Sequence, residues 1–216
     1  MIRVVVADAH PFVRAGLRTV LESAGDIDVV AEAADGVAAL EAAERLHPDV
    51  LLMELRARRL DAVELARLVQ GTRLVVLAAT ERDDYVVAAL RAGASAFVVK
   101  NAPATEIVRA VRVVARGDGV FEVSLLQRLL LRAVDALPPR RPRTPAWFRE
   151  LNDGDRDLLI LIAEGRSNAD IGESLGTPEA IVAERIADLL VRLGLRDRTQ
   201  AVVRVYETGV LRPVPH

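Results

Sequence analysis

Five times within the first 116 residues, a short run of strand character is followed by a segment of helical spacing. Few folds accept that rhythm. Residues 2–7 are a β-branched run ending at Asp8, and residues 12–24 repeat at helical spacing. Residues 28–33 read as a strand and residues 37–46 as a helix. Residues 50–53 form a continuous apolar run that stops at Glu54. Asp61 and Glu64 form a capping box for a helix reaching residue 69. Residues 74–77 are the fourth strand, and residues 83–92 are a helix closed by Gly93. Residues 97–99 are the fifth strand, ending at Lys100, and Pro103 opens a last helix running to residue 116. Strands apolar throughout and separated by helices imply a parallel sheet covered on both faces. The expected fold is α/β, a doubly wound five-stranded parallel sheet of flavodoxin-like order. Sites in such sheets lie at the carboxyl ends of the strands, beside the switch point. That placement gathers Asp8, Glu54, Ala78 and Lys100.

The rest of the chain changes character. Residues 124–136 read as a connecting helix. Residues 137–145 then hold four prolines and three arginines in nine positions, which marks a linker rather than a packed element. Beyond Trp147 the pattern is helical only, with Trp147 and Phe148 expected to dock on the first helix. Helices are expected over 153–164, from a cap at Asn168 to residue 175, from a cap at Thr177 to residue 193, and over 199–208. A short helix, a glycine-containing turn at Gly176 and a longer helix make the helix-turn-helix layout. The organisation is therefore an α/β domain over residues 1–120, a connecting helix and linker over 121–148, and an all-α four-helix domain over 149–216.

Composition narrows the function. The formal net charge is −2, so nothing attracts nucleic acid globally and any DNA contact must be local. There is no Cys, which removes disulfides and thiolate metal sites. No apolar run reaches 18 residues and no signal peptide is read, so a cytoplasmic protein without membrane association is expected. His10, His47 and His216 lack metal-ligand spacing. No glycine-rich loop follows a strand, and no nucleophile stands beside a base. No enzyme activity, metal or cofactor is expected. Of 29 basic residues only Lys100 is Lys, which singles out that position.

The segments Ala7-Asp8-Ala9-His10-Pro11, Ala92-Gly93-Ala94-Ser95 and Val98-Val99-Lys100 resemble a bacterial response-regulator receiver. Residues 163–171 (AEGRSNADI) and 193–201 (LGLRDRTQA) resemble the LuxR/NarL-type DNA-binding domain. The resemblance covers nearly the whole chain apart from the linker, and it implies a two-component transcription regulator. It also exposes departures. Such receivers carry two adjacent acidic residues after the first strand, where this chain has Asp8 and then Ala9. The phosphoacceptor Asp is replaced by Glu54, and the hydroxyl residue ending the fourth strand by Ala78. Only Asp8 and Lys100 keep the pattern.

These replacements bear directly on phosphoryl transfer, which depends on positioning and charge neutralisation. Mg²⁺ requires near-octahedral oxygen geometry, and Ala9 removes one carboxylate. Glu54 is one methylene longer than Asp, and a misplacement of about 1 Å costs on the order of 100-fold in rate. Ala78 offers no hydroxyl. An atypical, phosphorylation-independent pseudo-receiver is the expectation. Lys100 is expected to neutralise one of the two carboxylates. An arginine from Arg56, Arg58 or Arg59 either takes the place of the metal or belongs to a solvated loop. The domain then serves as a dimerisation module, or binds a small ligand in the vacated pocket.

In the second half, Val182, Ile186, Leu189 and Leu193 should face the core. That leaves Ile181, Ala183, Glu184, Arg185, Asp188 and Arg192, together with Arg166, for DNA. The resemblance puts polar or basic residues where Ile181 and Ala183 stand. Residues 149–216 carry nine arginines against twelve acidic residues, a net of −3, which is awkward for a phosphate-binding surface. Ala201, Val202 and Val205 form one stripe, which the resemblance implies is a dimer surface and which ordinary packing reads as the domain's own core; a short helix with two apolar sides can serve both. The leading function is a dimeric DNA-binding regulator, homodimeric or paired with another regulator. The alternative is an interaction partner that has lost the nucleic-acid surface. A ligand-responsive regulator is a further alternative.

Overall fold

The computed structural model describes residues 1–79, 84–117 and 145–211. The connecting helix expected over 124–136 and nearly all of the linker lie outside the described residues. Contacts divide the chain into two compact units, Met1–Val120 and Phe121–His216.

The first unit alternates strand and helix in the expected order: β1 (Ile2–Ala7), α1 (Pro11–Glu22), β2 (Ile27–Ala33), α2 (Gly36–Leu46), β3 (Val50–Glu54), α3 (Ala62–Leu68), β4 (Arg73–Ala78), α4 (Asp84–Ala92), β5 (Ala96–Val99) and α5 (Ala104–Ala115). All strand pairs are parallel and their order is β2-β1-β3-β4-β5. Val4, Val6, Leu52, Val75, Leu77 and Val98 form one core with Leu17 and Leu21 of α1 and Ile107 and Val111 of α5. Their strand neighbours Val5, Leu51, Met53 and Val76 are equally buried, and the pleat directs them to the opposite face. α2 packs on β1, β2 and β3. Both faces are thus covered, which explains why these strands are apolar throughout rather than alternating.

Local chemistry sets the helix starts. The Asp35 side chain accepts from the Ala38 N–H, and Asp61 with Glu64 forms the expected reciprocal capping box. Pro103 is the N-cap of α5 rather than its first residue, in extended geometry at φ −53°, ψ 144°. Gly36 carries a steric requirement, because a Cβ there would collide with the Leu60 carbonyl. That closeness ties the start of α2 to the loop after β3.

The second unit comprises α6 (Ala146–Arg149), α7 (Asp153–Ala163), α8 (Asn168–Leu175), α9 (Glu179–Leu193) and α10 (Arg198–Glu207). Two expected caps are corrected. Ser167, not Asn168, caps α8, in a box with Asp170. Thr177 does not cap α9, since its hydroxyl donates to the Leu175 carbonyl and Pro178 takes the N-cap position. The turn between them is tight: a Cβ on Gly172 would stand 2.5 Å from the Thr177 carbonyl oxygen. The core contains Leu158, Ile162, Ile171, Val182, Leu189 and Ala201. Leu190 is buried, whereas Leu193, expected inside, is only half-buried. Phe148 is buried, and Arg156 of α7 donates to its carbonyl at 3.0 Å. Trp147 lies edge-on to Phe148, with the Arg204 guanidinium 4.7 Å above its ring. Among the described residues, no helix is long and apolar enough to cross a membrane.

Candidate functional site

Because β1 and β3 are neighbours, the residues that end them stand side by side. Asp8 follows β1 with 1% of its surface exposed, and Glu54 closes β3 half-buried. Lys100 follows β5, and its backbone N–H donates to the Ala78 carbonyl at 2.8 Å, which fixes the direction of its side chain. The ammonium lies between the two acids: Nζ is 2.6 Å from Asp8 Oδ2 and 2.7 Å from Glu54 Oε1. Asp8 is held from its other side as well. The His10 N–H donates to Oδ1 at 2.8 Å, and His10 Nδ1 lies 3.2 Å from the same oxygen. Arg14 donates to the Asp8 carbonyl at 2.8 Å.

Electrostatics follow from this geometry. Burial by itself would raise the Asp8 carboxyl. The bond from Lys100, the His10 N–H and the ammonium charge outweigh it, and hold the group below the ordinary carboxylate value of 3.8. Burial would lower Lys100, but bonds to Asp8 and Glu54 and their charges prevail, so its pKa is raised above the usual 10.5. The ammonium is therefore fixed in its charged form.

The arginine loop goes elsewhere. Arg58 accepts from the Gly36 N–H through its carbonyl at 3.1 Å, and its side chain makes no hydrogen bond or ion pair among the described residues. Arg59 sits at φ 68° with its guanidinium 3.4 Å from Asp35. The Arg56 guanidinium lies 4.6 Å over the Tyr85 ring. The structure thus brings Asp8, Glu54 and Lys100 together, with Ala9 and Ala78 beside them, and directs Arg59 to the start of α2. Lys100 touches both carboxylates.

Asp8, His10 and Glu54 bring one ligand atom each within 4.8 Å of one another. The donor set does not fit Mg²⁺. An ammonium already occupies the space between the two carboxylates and bonds to both, Ala9 supplies no carboxylate, and the third donor is an imidazole nitrogen rather than the hard oxygen Mg²⁺ requires.

In the second unit, Ile181, Ala183, Glu184, Asp188 and Arg192 are exposed on α9, and Arg185 is half-buried. Both arginines turn toward α7. Arg185 donates to the Gly154 carbonyl at 3.3 Å, and Arg192 Nη2 lies 2.6 Å from Asp155, whose side chain is nearly buried. Arg166 is exposed and lies 3.7 Å from Glu164; its carbonyl accepts from Arg198. Ala201, Val202 and Val205 are 0%, 4% and 0% exposed. They belong to this unit's own core, so the reading of that stripe as a partner surface gives way to the other. Sequence reasoning missed Asp155 as the partner of Arg192, because a pair 37 positions apart on crossing helices leaves no periodic signal.

A parallel sheet of order 2-1-3-4-5 with Asp, Glu and Lys at its carboxyl edge, followed by helices in helix-turn-helix order, defines a regulator built from a receiver and a helix-turn-helix unit. The chain matches the response regulator receiver domain over residues 4–112. It is 35% identical over 215 residues to the transcriptional regulatory protein LiaR of Bacillus subtilis (strain 168), covering 98% of this chain and 100% of LiaR. The receiver domain of the putative response regulator NarL from Mycobacterium tuberculosis shares 39% identity at a TM-score of 0.53, over 54% of this chain and 97% of that one. The response regulator ChrA of a heme-sensing two-component system shares 28% at 0.51, over 97% and 98%. The chain belongs to the response regulator family, of the NarL/LuxR type.

Proposed function

We propose that this chain is a phosphorylation-independent response regulator that acts in transcription as a dimer, through a receiver-like domain over residues 1–120 and a helix-turn-helix domain over 149–216. The observation that carries this reading is the Lys100 ammonium held at 2.6 and 2.7 Å between Asp8 and Glu54. It offsets the charge of one of the two carboxylates and touches both, Ala9 supplies no carboxylate for a cation, and Ala78 supplies no hydroxyl to donate to a phosphoryl oxygen. LiaR, by its name a transcriptional regulatory protein, supports the transcriptional role. The test is incubation of the purified chain with acetyl phosphate and Mg²⁺. No acyl phosphate and no change in oligomeric state are expected. A stoichiometric adduct that alters oligomerisation defeats the reading.

A second reading makes the chain a non-DNA-binding partner, for example in a heterodimer with a regulator that reads DNA. The observation that favours it is the pairing of both α9 arginines with α7, while Ile181, Ala183, Glu184 and Asp188 are exposed on the same helix beside Arg192. Selection from a random duplex library by the purified protein separates the two. Enrichment of a paired half-site supports direct DNA binding, and no enrichment at any salt supports the partner reading.

A further inference from the structure

We infer that α9 reads the pyrimidine strand of its DNA half-site, with Glu184 accepting from a cytosine amino group and Ala183 and Ala187 set against thymine methyl groups. This deepens the first reading above and holds only if the helix-turn-helix unit binds DNA. Val182, Ile186 and Leu189 fix the inner side of α9 by their burial. After its opening residue Glu179, the helix exposes Ala180, Ile181, Ala183, Glu184 and Ala187. The N-terminal part of a recognition helix is what meets base edges. Glu184 is the one polar side chain among these five, and Glu179 before them is again an acceptor, so none of them donates. The Glu184 carboxylate makes no hydrogen bond or ion pair among the described residues. The arginines of the helix are engaged with α7: Arg185 donates to the Gly154 carbonyl at 3.3 Å, and Arg192, in the last turn, bonds to Asp155 at 2.6 Å.

The chemistry of those side chains selects the bases. A guanine shows two acceptors in the major groove, N7 and O6, and needs a donor that this stretch of α9 does not offer. Adenine sets its N6 donor beside the N7 acceptor, and a carboxylate bound to the first is repelled by the second. Cytosine shows a lone N4 donor, which a carboxylate accepts without that penalty. Thymine shows a methyl group, which suits the alanine side chains. Both favoured bases are pyrimidines and so belong to one strand. Glu184 and Ala187 are three positions apart, about 4.5 Å along the helix, against about 3.4 Å between successive bases of a strand. Ala183 lies on the other side of Glu184. The order read is therefore a cytosine with thymine beside it. A glutamate adds no attraction for phosphate, so affinity has to come from cations off this stretch. Arg166 ahead of α8 and Arg196 just past α9 are exposed there.

The test is selection from a random duplex library by the full-length protein and by Glu184→Gln, whose amide suits adenine N6 and N7 in place of cytosine N4. The natural chain should enrich a cytosine flanked by thymine. Glu184→Gln should change that one position from cytosine to adenine and leave its neighbours as they were, which a merely structural role for Glu184 would not do. A wrong base at the cytosine should weaken binding by about tenfold. Replacing the flanking thymine by deoxyuridine removes only its methyl group and should weaken binding by about fourfold, the loss of one buried methyl contact. That comparison involves no change in the protein. Glu184 is exposed, and circular dichroism of the variant checks that its fold is kept. A site read through guanine, an unchanged base preference in Glu184→Gln, or indifference to deoxyuridine overturns the proposal while the DNA-binding reading stands. No enrichment at any salt overturns that reading and the proposal with it.

Discussion

Nζ of Lys100 lies 2.7 Å from Oε1 of Glu54. With Asp8 on its other side, that ammonium touches two carboxylates, of which one is 1% exposed. Replacing it leaves a buried carboxylate facing a half-buried one with no cation between them. Lys100→Met should therefore lower the stability of the first unit by about 3 kcal/mol, the usual penalty for breaking a buried pair from one side. Glu54→Gln, which keeps an acceptor and removes the charge, should cost about 1 kcal/mol. In the double variant the two losses should fall short of additivity by 1 kcal/mol or more, by order of magnitude. Urea unfolding followed on β1 resonances measures all three. Full additivity would mean that the two residues do not hold each other.

Acid should act through Asp8. Its carboxyl titrates below 3.8 in the folded chain and near 3.8 in the unfolded one, so in acid the unfolded chain binds the extra proton. The contribution of Asp8 to stability is complete above the unfolded value and is lost as pH falls through the lowered folded value. The raised pKa of Lys100 acts in the opposite direction, intact below 10.5 and lost only as pH rises through the higher folded value. Between those limits, the stability advantage of the natural chain over Asp8→Asn should be flat with pH. On the acid side it should shrink only below the ordinary carboxylate range. An advantage that declines steadily from neutrality would point to other groups.

Much of this was legible because the signals are periodic. Apolar runs such as 50–53 read as buried parallel strands, and the strand order then placed Asp8 and Glu54 together without any side-chain information. What could not be read depends on how elements cross. Leu190 and Leu193 are equally apolar, and only the angle at which α9 meets its neighbours puts the first inside. The stripe of Ala201, Val202 and Val205 has the same spacing whether it faces its own core or a second copy. Ser167 and Asn168 are adjacent and both able to cap, and only the backbone bend selects Ser167. Arg59 is compatible in sequence with either the pocket or a solvated loop, and in the structure, with the turn at φ 68°, it pairs with Asp35.

Three glycine-to-alanine changes should separate steric from conformational effects. Gly36→Ala drives a methyl into the Leu60 carbonyl, and Gly172→Ala places one 2.5 Å from the Thr177 carbonyl. Each obstacle is backbone and cannot swing aside, so losses of about 1–3 kcal/mol are expected. In the helix-turn-helix unit this should show as loosened α8 amides by hydrogen exchange. Gly16 lies in α1 with nothing within 4 Å of an added Cβ. Gly16→Ala should stabilise the first unit by about 0.5–1 kcal/mol, the ordinary gain in helix propensity. A destabilised Gly16→Ala would show that something covers this part of α1 in solution.

Restoring cations to α9 should raise its affinity for nucleic acid if the helix still presents itself to a groove. Glu184 and Asp188 are the two outward carboxylates, and Ala183 lies exposed beside them. Combining Ala183→Lys, Glu184→Gln and Asp188→Asn changes this face by three charge units without touching the core. Each phosphate newly neutralised steepens the slope of log K against log salt by about 0.9, so the lysine should add close to one unit. Arg192→Ala in the natural chain gives the complementary result. Its partner is Asp155 at 2.6 Å rather than a phosphate, so the change should loosen the contact between α7 and α9 and leave the salt slope of any DNA binding nearly untouched. A salt slope that falls by a full unit in Arg192→Ala would mean that Arg192 leaves Asp155 to meet DNA, and that α9 reads nucleic acid after all.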